Sequence, residues 1–153
     1  MNQDPKDRLH SKLRALEQQH LTNMERIGQI RLLSSVNGPV MEALTRETRE
    51  EYSASEVNNY NATHNGIQAF ERLLNYAETR NSGQIQRIAQ FLAGVWGVDK
   101  GLKLECLLSL DQSIGDDMLA VLNAIRTNVL SIRDMSVDGS ERVPDALRLW
   151  GYQ

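Results

Sequence analysis

Apolar side chains recur at intervals of three and four residues along most of the chain, which is the spacing of one face of an α-helix. The first such stripe carries two polar interruptions and consists of Leu9, Leu13, Leu16, His20, Asn23, Ile27 and Ile30. A single helix cannot bury such a stripe against itself. The pattern therefore predicts a helix from about Asp4 to Ser35 that packs against another helix.

The sequence Asn37-Gly38-Pro39 marks a turn after this helix. A second predicted helix extends from Pro39 to about Asn61, and its later part, Ser53–Thr63, is rich in Asn and Ser. The two helices are predicted to form an antiparallel hairpin over residues 1–63. The two helices are too polar to form a domain of their own. We therefore expect the hairpin to pack against the rest of the chain or against a second copy.

The remaining residues, 64–153, carry denser helical stripes and are predicted to form a compact helical domain. Its predicted helices are Ile67–Arg80, Gln84–Trp96, Ile114–Val129 and a short helix that begins at Pro144, with a short apolar stretch at Leu102–Leu110 and a polar loop at Ser136–Arg142.

Composition supports a helical fold. Aromatic residues make up only 5% of the chain, so a core has to be built mainly from Leu, Ile, Val and Ala. Strands draw on β-branched and aromatic side chains, which makes a β-sandwich a poor alternative. The predicted fold class is all-α, with a long N-terminal helical hairpin and a compact C-terminal multi-helix domain.

The charge balance argues against a dedicated nucleic-acid-binding protein. The formal net charge is −3, whereas proteins that neutralise phosphates usually carry a basic excess. Residues before Thr63 include 8 basic and 9 acidic side chains, so the N-terminal part is not a hidden basic domain. Nucleic acid is therefore not an expected partner.

No residue pattern predicts catalysis, and neither a cofactor nor a metal is expected. Cys106 is the only cysteine and lies in an apolar run, where a buried, inert thiol is the better interpretation than a nucleophile. The three histidines are scattered and form no metal-ligand pair. Asp116 and Asp117 are neighbours whose side chains point about 100° apart on a helix, so they are interpreted as helix-dipole partners rather than as metal ligands.

The chain contains no apolar run of the roughly 20 residues that a membrane span requires. Its polar start, Met1–Asp7, does not resemble a signal peptide. The sequence predicts a cytoplasmic protein with no membrane partner.

Two surfaces are candidates for binding. Charged residues of the hairpin form a candidate partner-binding surface, namely Arg8, Lys12, Glu47, Glu50 and Glu51. The acidic group is interpreted first as a plain solvated face, and a surface for a basic partner is the alternative. The apolar stripe is a candidate homodimer interface, with Leu9, Leu13, Leu16, His20, Ile27 and Ile30 as its residues, because it offers more apolar surface than a solvated arm should expose.

Parts of the C-terminal domain resemble an uncharacterised helical domain of small proteins from bacterial mobile elements and phages. The likeness extends from near Gly66 to the C-terminus and depends most on Arg-x-Ala-x-Phe-Leu-x-x-x-Trp at Arg87–Trp96 and on Asp-Asp-x-Leu-Ala-Val-Leu at Asp116–Leu122. These motifs imply a fold and a genomic setting rather than a site.

The whole chain, with its added N-terminal helices, resembles a type I-F anti-CRISPR protein. The resemblance implies a non-enzymatic inhibitor that binds a Cas protein directly, in the cytoplasm of a bacterial host. Between the two candidate targets, the helicase-nuclease is favoured over the surveillance complex, because a net charge of −3 is weak for a DNA mimic. The alternative function is a mobile-element regulatory or accessory protein with possible DNA contact.

Overall fold

A computed structural model describes residues 4–34 and 39–153, and it describes side chains over 4–29 and 46–153. This part of the chain is helical and contains no β-strand, which confirms the predicted all-α fold. The helices are α1 (Pro5–Ser34), α2 (Pro39–Thr79), α3 (Gly83–Trp96), α4 (Gln112–Thr127) and α5 (Gly139–Leu149), with short 3₁₀ turns at Leu104–Leu107 and Ile132–Asp134.

Helix α2 is the central element and packs against each of the other four α-helices. The sequence predicted two separate helices here, but a single helix runs through the Asn- and Ser-rich stretch. The stretch stays helical because tertiary contacts hold it. Its buried Thr63 hydroxyl donates a hydrogen bond to the Asn59 carbonyl oxygen and lies 3.1 Å from the Thr127 hydroxyl of α4. The predicted division into residues 1–63 and 64–153 therefore falls inside α2.

Helix α1 lies antiparallel to α2, as the sequence predicted for a hairpin. Its His20 packs against Tyr60 in the middle of α2, whereas Lys12, two turns earlier, contacts the turn that precedes α5. Both Pro5 and Pro39 occupy the first helical position, where a missing N–H costs nothing. Helix α1 therefore runs along α2, and the N-terminal part of α1 contacts the compact part of the chain.

The core lies where the C-terminal half of α2 meets α3, α4 and α5. Its largest fully buried side chains include Phe70, Leu73, Phe91, Met118 and Val143, one or more from each of these helices. Trp96 is 3% exposed and packs against Phe70, so the few aromatic side chains also contribute to the core. Cys106 is fully buried beside these helices, and burial raises the pKa of its thiol, which agrees with the prediction of an inert cysteine.

Helices α2 and α4 approach each other closely at Gly66. A Cβ atom placed on Gly66 would lie 2.2 Å from Cβ of Ala124, so the contact requires glycine at this position of α2. Glycine in a helix interior costs roughly 1 kcal/mol relative to alanine. Because α2 stays helical through Gly66, its packing against α4 offsets this cost.

Helix α5 begins earlier than predicted. It starts at Gly139 instead of Pro144, and Pro144 is accommodated in its second turn. The start is fixed by Arg142, which belongs to the stretch predicted as a loop. Its guanidinium donates hydrogen bonds to both Glu78 carboxylate oxygens, to Glu71 and to the Val137 carbonyl oxygen, at 2.9–3.0 Å. These carboxylates raise the pKa of Arg142 above its ordinary value, with the Glu78 hydrogen bond as the largest cause.

We predict that Gly66→Ala destabilises the protein. Alanine gains up to about 1 kcal/mol of helix propensity over glycine, but overpacking costs about 1–3 kcal/mol. We expect a net loss of about 1–2 kcal/mol in the free energy of unfolding, measured by urea denaturation. Gly115→Ala in α4 is the control, since a Cβ at Gly115 meets no atom within 4 Å. Equal stability of the two variants would contradict the close contact.

We also predict that Arg142→Met destabilises the fold by about 2 kcal/mol, because it leaves two half-buried carboxylates without their cation. Arg142→Lys keeps the charge but loses the planar fork that reaches Glu71 and Glu78 together. It should fall between wild type and Arg142→Met in a thermal unfolding series. If Arg142→Met unfolded at the same temperature as wild type, the network would not hold α5 in place.

Candidate functional site

Titratable side chains of the described part of the chain are used mainly in contacts between helices. There, no group of three or more His, Cys, Asp or Glu residues is arranged to hold a metal ion. Asp117 is used structurally, since it receives two hydrogen bonds from Arg72 of α2, at 2.7 and 3.0 Å. The hydrogen bond to Asp117 raises the pKa of Arg72 above its ordinary value, and this effect outweighs burial, which lowers it. Because α4 begins at Gln112, Asp116 and Asp117 lie beyond its first turn, so the predicted dipole role is wrong and Asp117 instead bridges α4 to α2.

A polar cluster joins α1 and α2 at the middle of the hairpin. The Nδ1 atom of His20 lies 3.1 Å from Oε1 of Glu56, and the amide of Asn23 donates to the same oxygen at 3.1 Å. The His20 ring stacks on Tyr60 with 4.3 Å between centroids, and Tyr60 contacts His64 on its own helix. His20 and Asn23, the polar interruptions of the α1 stripe, thus meet polar partners within the chain.

The two basic candidates on α1 contact the turn before α5. Arg8 forms an ion pair with Asp138. The Lys12 ammonium donates to the carbonyl oxygens of Asp134 and Ser136, the latter at 3.1 Å. Arg8 and Lys12 were predicted to lie on a surface for a partner, whereas in the structure they attach α1 to the compact part of the same chain.

The three acidic candidates lie together near the start of α2. Glu47, Glu50 and Glu51 are all exposed, with the half-buried Arg49 between them. Their neighbour Tyr52 is 56% exposed, so an aromatic ring borders the acidic group. We call these four residues, Glu47, Glu50, Glu51 and Tyr52, the acidic end of α2. Their role in binding stays a prediction.

The candidate dimer residues differ in exposure. Leu16 is 6% exposed and His20 is covered by α2, so both have partners within the chain. Leu9, Leu13 and Ile27 are half-buried, and the Ile30 side chain lies outside the described residues. Part of the stripe that suggested a second copy is therefore covered by α2. Among the hairpin residues whose side chains the structure describes, the large apolar ones that are exposed are Leu21, Tyr52 and Val57, with exposed fractions of 51%, 56% and 38%.

Two open grooves accompany these features. One has a volume of about 750 Å³ and a polar lining at the start of α3, from Ser82, Arg87, Gln90, Glu105 and Tyr152 among others. The second, of about 560 Å³, lies between α1 and the residues that follow α4. Neither groove could be predicted from the sequence, because each is formed by segments far apart in the chain.

Comparison with protein families identifies one family that matches the C-terminal part of the chain. A model described as a family of unknown function (DUF7673) matches residues 67–151, more than half of the chain. The matched region begins within α2 and includes the whole core, whereas α1 and the acidic end of α2 lie outside it. Neither the comparison with curated proteins nor that with solved structures gave a significant match. In the described part, no helix is long and apolar enough to cross a membrane. The chain belongs to the DUF7673 family of unknown function.

Proposed function

We propose that this chain acts by binding another protein, as a non-enzymatic inhibitor of a type I-F CRISPR–Cas system in the cytoplasm of a bacterial host. The single observation that supports a binding role is the acidic end of α2, which is exposed on a helix anchored at its other end in the core. The choice of a Cas protein as partner depends on the whole-chain resemblance to anti-CRISPR proteins.

Charge complementarity gives this proposal a physical basis. Proteins that bind nucleic acid carry basic surfaces that neutralise phosphates, and Cas proteins bind nucleic acid. Glu47, Glu50 and Glu51 form a small acidic surface that would meet such a basic region, while Tyr52 would supply apolar contact at its border. The overall charge of −3 favours occlusion of one Cas surface over imitation of a DNA duplex. We favour the helicase-nuclease over the surveillance complex as the target.

In this proposal Arg8 and Lys12 affect partner binding indirectly. Because they hold the first turns of α1 against the turn before α5, they help to keep the hairpin in one orientation. A preorganised surface loses less conformational entropy on binding than a mobile one. Substitution of Arg8 or Lys12 would therefore act on binding through the position of α1.

We also propose that the chain forms a homodimer through the hairpin. The exposed apolar side chains of the described hairpin outside the acidic end, Leu21 and Val57, are the candidate contacts. Leu21→Glu should weaken such an interface without disturbing the buried Leu16. Static light scattering at micromolar concentrations should give twice the chain mass for wild type and a shift towards one chain mass for Leu21→Glu. Wild-type protein that stays monomeric throughout this range would rule out the dimer.

The partner can be identified by capture with separate components. Tagged protein is incubated with the type I-F surveillance complex, with the helicase-nuclease, and with target DNA alone. We expect capture of the helicase-nuclease in the absence of DNA. Retention of DNA alone, lost as salt rises, would instead support a mobile-element regulatory protein. Failure of folded protein to capture either Cas component would refute the inhibitor proposal.

The acidic end can be tested by charge reversal. We expect Glu47→Lys/Glu50→Lys/Glu51→Lys to weaken binding to the captured partner by about tenfold or more, because like charges would then face each other. The control reverses Glu17, Glu25 and Glu105, which are also exposed and give the same change in net charge. Both triple variants should keep the wild-type helical circular dichroism. Equal loss of affinity in the two variants would mean that net charge, and not this surface, determines binding.

A further inference from the structure

The groove between α1 and the residues after α4 has the size of a ligand site. Its volume of about 560 Å³ lies within the range of about 300–1,000 Å³ that is typical of small-molecule sites. We call it the α1 groove and define it by its lining residues, Lys12, Ala15, Leu16, Gln19, Asn23, Val129, Leu130 and Asp134. The surface that these residues present to the groove is mainly apolar, which is the usual character of such sites.

Two separate parts of the chain form the walls of the α1 groove. One wall is a single face of α1, because its lining residues recur at intervals of three and four residues. The other wall follows α4, which ends at Asn128 with a left-handed φ of 53°. Val129 and Leu130 come next, and Val129 is 40% exposed. This second wall lies in the region that matches the family, whereas α1 lies outside it, so the groove requires both parts.

The α1 groove continues towards the polar cluster in the middle of the hairpin. A smaller cavity of about 30 Å³ shares Asn23 and Val129 with the groove and reaches the contact between His20 and Glu56. Along the α1 wall, the rise of about 1.5 Å per residue separates Lys12 from Asn23 by about 16 Å. The groove is therefore long enough for an alkyl chain of medium length.

Lys12 places a half-buried positive charge at one end of the groove. Its ammonium donates to the carbonyl oxygens of Asp134 and Ser136, and no described carboxylate lies within ion-pair distance of it. An ammonium has three N–H donors, so one remains for a ligand. A ligand that fills the groove removes water from this cation, which is costly unless the ligand supplies a negative charge. The lining therefore favours an anionic group at the Lys12 end.

The other polar residues of the lining do not oppose this choice. Asp134 is exposed, so its carboxylate stays hydrated and its repulsion of an anion is screened by water and salt. The Gln19 amide donates to Asn23, and the Asn23 amide donates to Glu56, so these side chains are used within the protein. The half-buried charge of Lys12 therefore determines which headgroup the groove accepts.

We propose that the α1 groove binds a medium-chain fatty acid, that is, a carboxylate on a saturated alkyl chain. The carboxylate accepts a hydrogen bond from the remaining N–H of Lys12. The alkyl chain lies between Ala15 and Leu16 on one wall and Val129 and Leu130 on the other. A peptide fits less well, because its main chain would bring unsatisfied N–H and C=O groups against an apolar lining. The site is separate from the acidic end of α2 and does not depend on the proposed function.

Calorimetric titration of the full chain with decanoate, below the concentration at which decanoate forms micelles, tests the site. We expect one molecule per chain. The affinity should rise about twofold to fourfold with each methylene from hexanoate to decanoate, because each methylene is buried against the apolar walls. Decanol has the same chain length without the charge, and it should bind at least about tenfold more weakly than decanoate.

Two pairs of substitutions locate the ligand. Lys12→Met should weaken decanoate binding about tenfold but change decanol binding less than about threefold, so decanol reports whether the groove is intact. Lys6→Met removes a charge from an exposed position of α1 and is the control. Val129→Asp places a carboxylate in the apolar wall and should weaken decanoate binding at least about tenfold. Val98→Asp should leave it unchanged, although both valines are 40% exposed.

Any of three results would overturn the fatty-acid site. The first is decanoate binding that does not saturate, and the second is equal affinity of the wild-type chain for decanoate and decanol. The third is a Val129→Asp variant that binds decanoate as well as Val98→Asp does. The first two results need no substitution, so they decide the question even if a variant fails to fold. None of them bears on the capture of a Cas protein, which tests the proposed function separately.

Discussion

The close contact of α2 with α4 at Gly66 is the constraint on which the rest of the chain depends. It allows one helix to be part of the core at one end and the partner of α1 at the other. Any side chain at residue 66 would push α4 away from α2 because of Ala124. The Thr63–Thr127 contact, one turn away, would move with it. The hairpin is therefore positioned by a contact made inside the core.

The sequence predicted the helices better than their connections. Apolar periodicity identified α1, α3 and α4 to within a few residues, and Pro5 and Pro39 marked two helix starts. The continuity of α2 was missed because Ser53–Thr63 has little apolar character of its own, and contacts with α1 and α4 stabilise it instead. The start of α5 was missed for a related reason: Arg142 is stabilised by Glu71 and Glu78, more than sixty residues earlier.

Candidate surfaces were harder to predict than elements. Exposure of Glu47, Glu50 and Glu51 followed from their charge. The intramolecular contacts of Arg8 and Lys12 did not, because their partners are a carboxylate and two main-chain carbonyls far along the chain. A cation that binds carbonyl oxygens leaves no pattern in a sequence, since every residue has a carbonyl. The turn that binds Lys12 could be found only once α1 and α5 were placed together.

The unbroken length of α2 has a consequence for how such chains can change in length. Each residue turns an α-helix by about 100° and advances it by about 1.5 Å. One residue added or lost between Tyr52 and Asn59 would therefore turn the acidic end to a different side of the molecule while the core stayed intact. An insertion of seven residues would restore nearly the same direction and move that end about 10 Å outward. In this part of the chain, substitutions alter the chemistry of the surface, whereas changes in length alter the direction in which it faces.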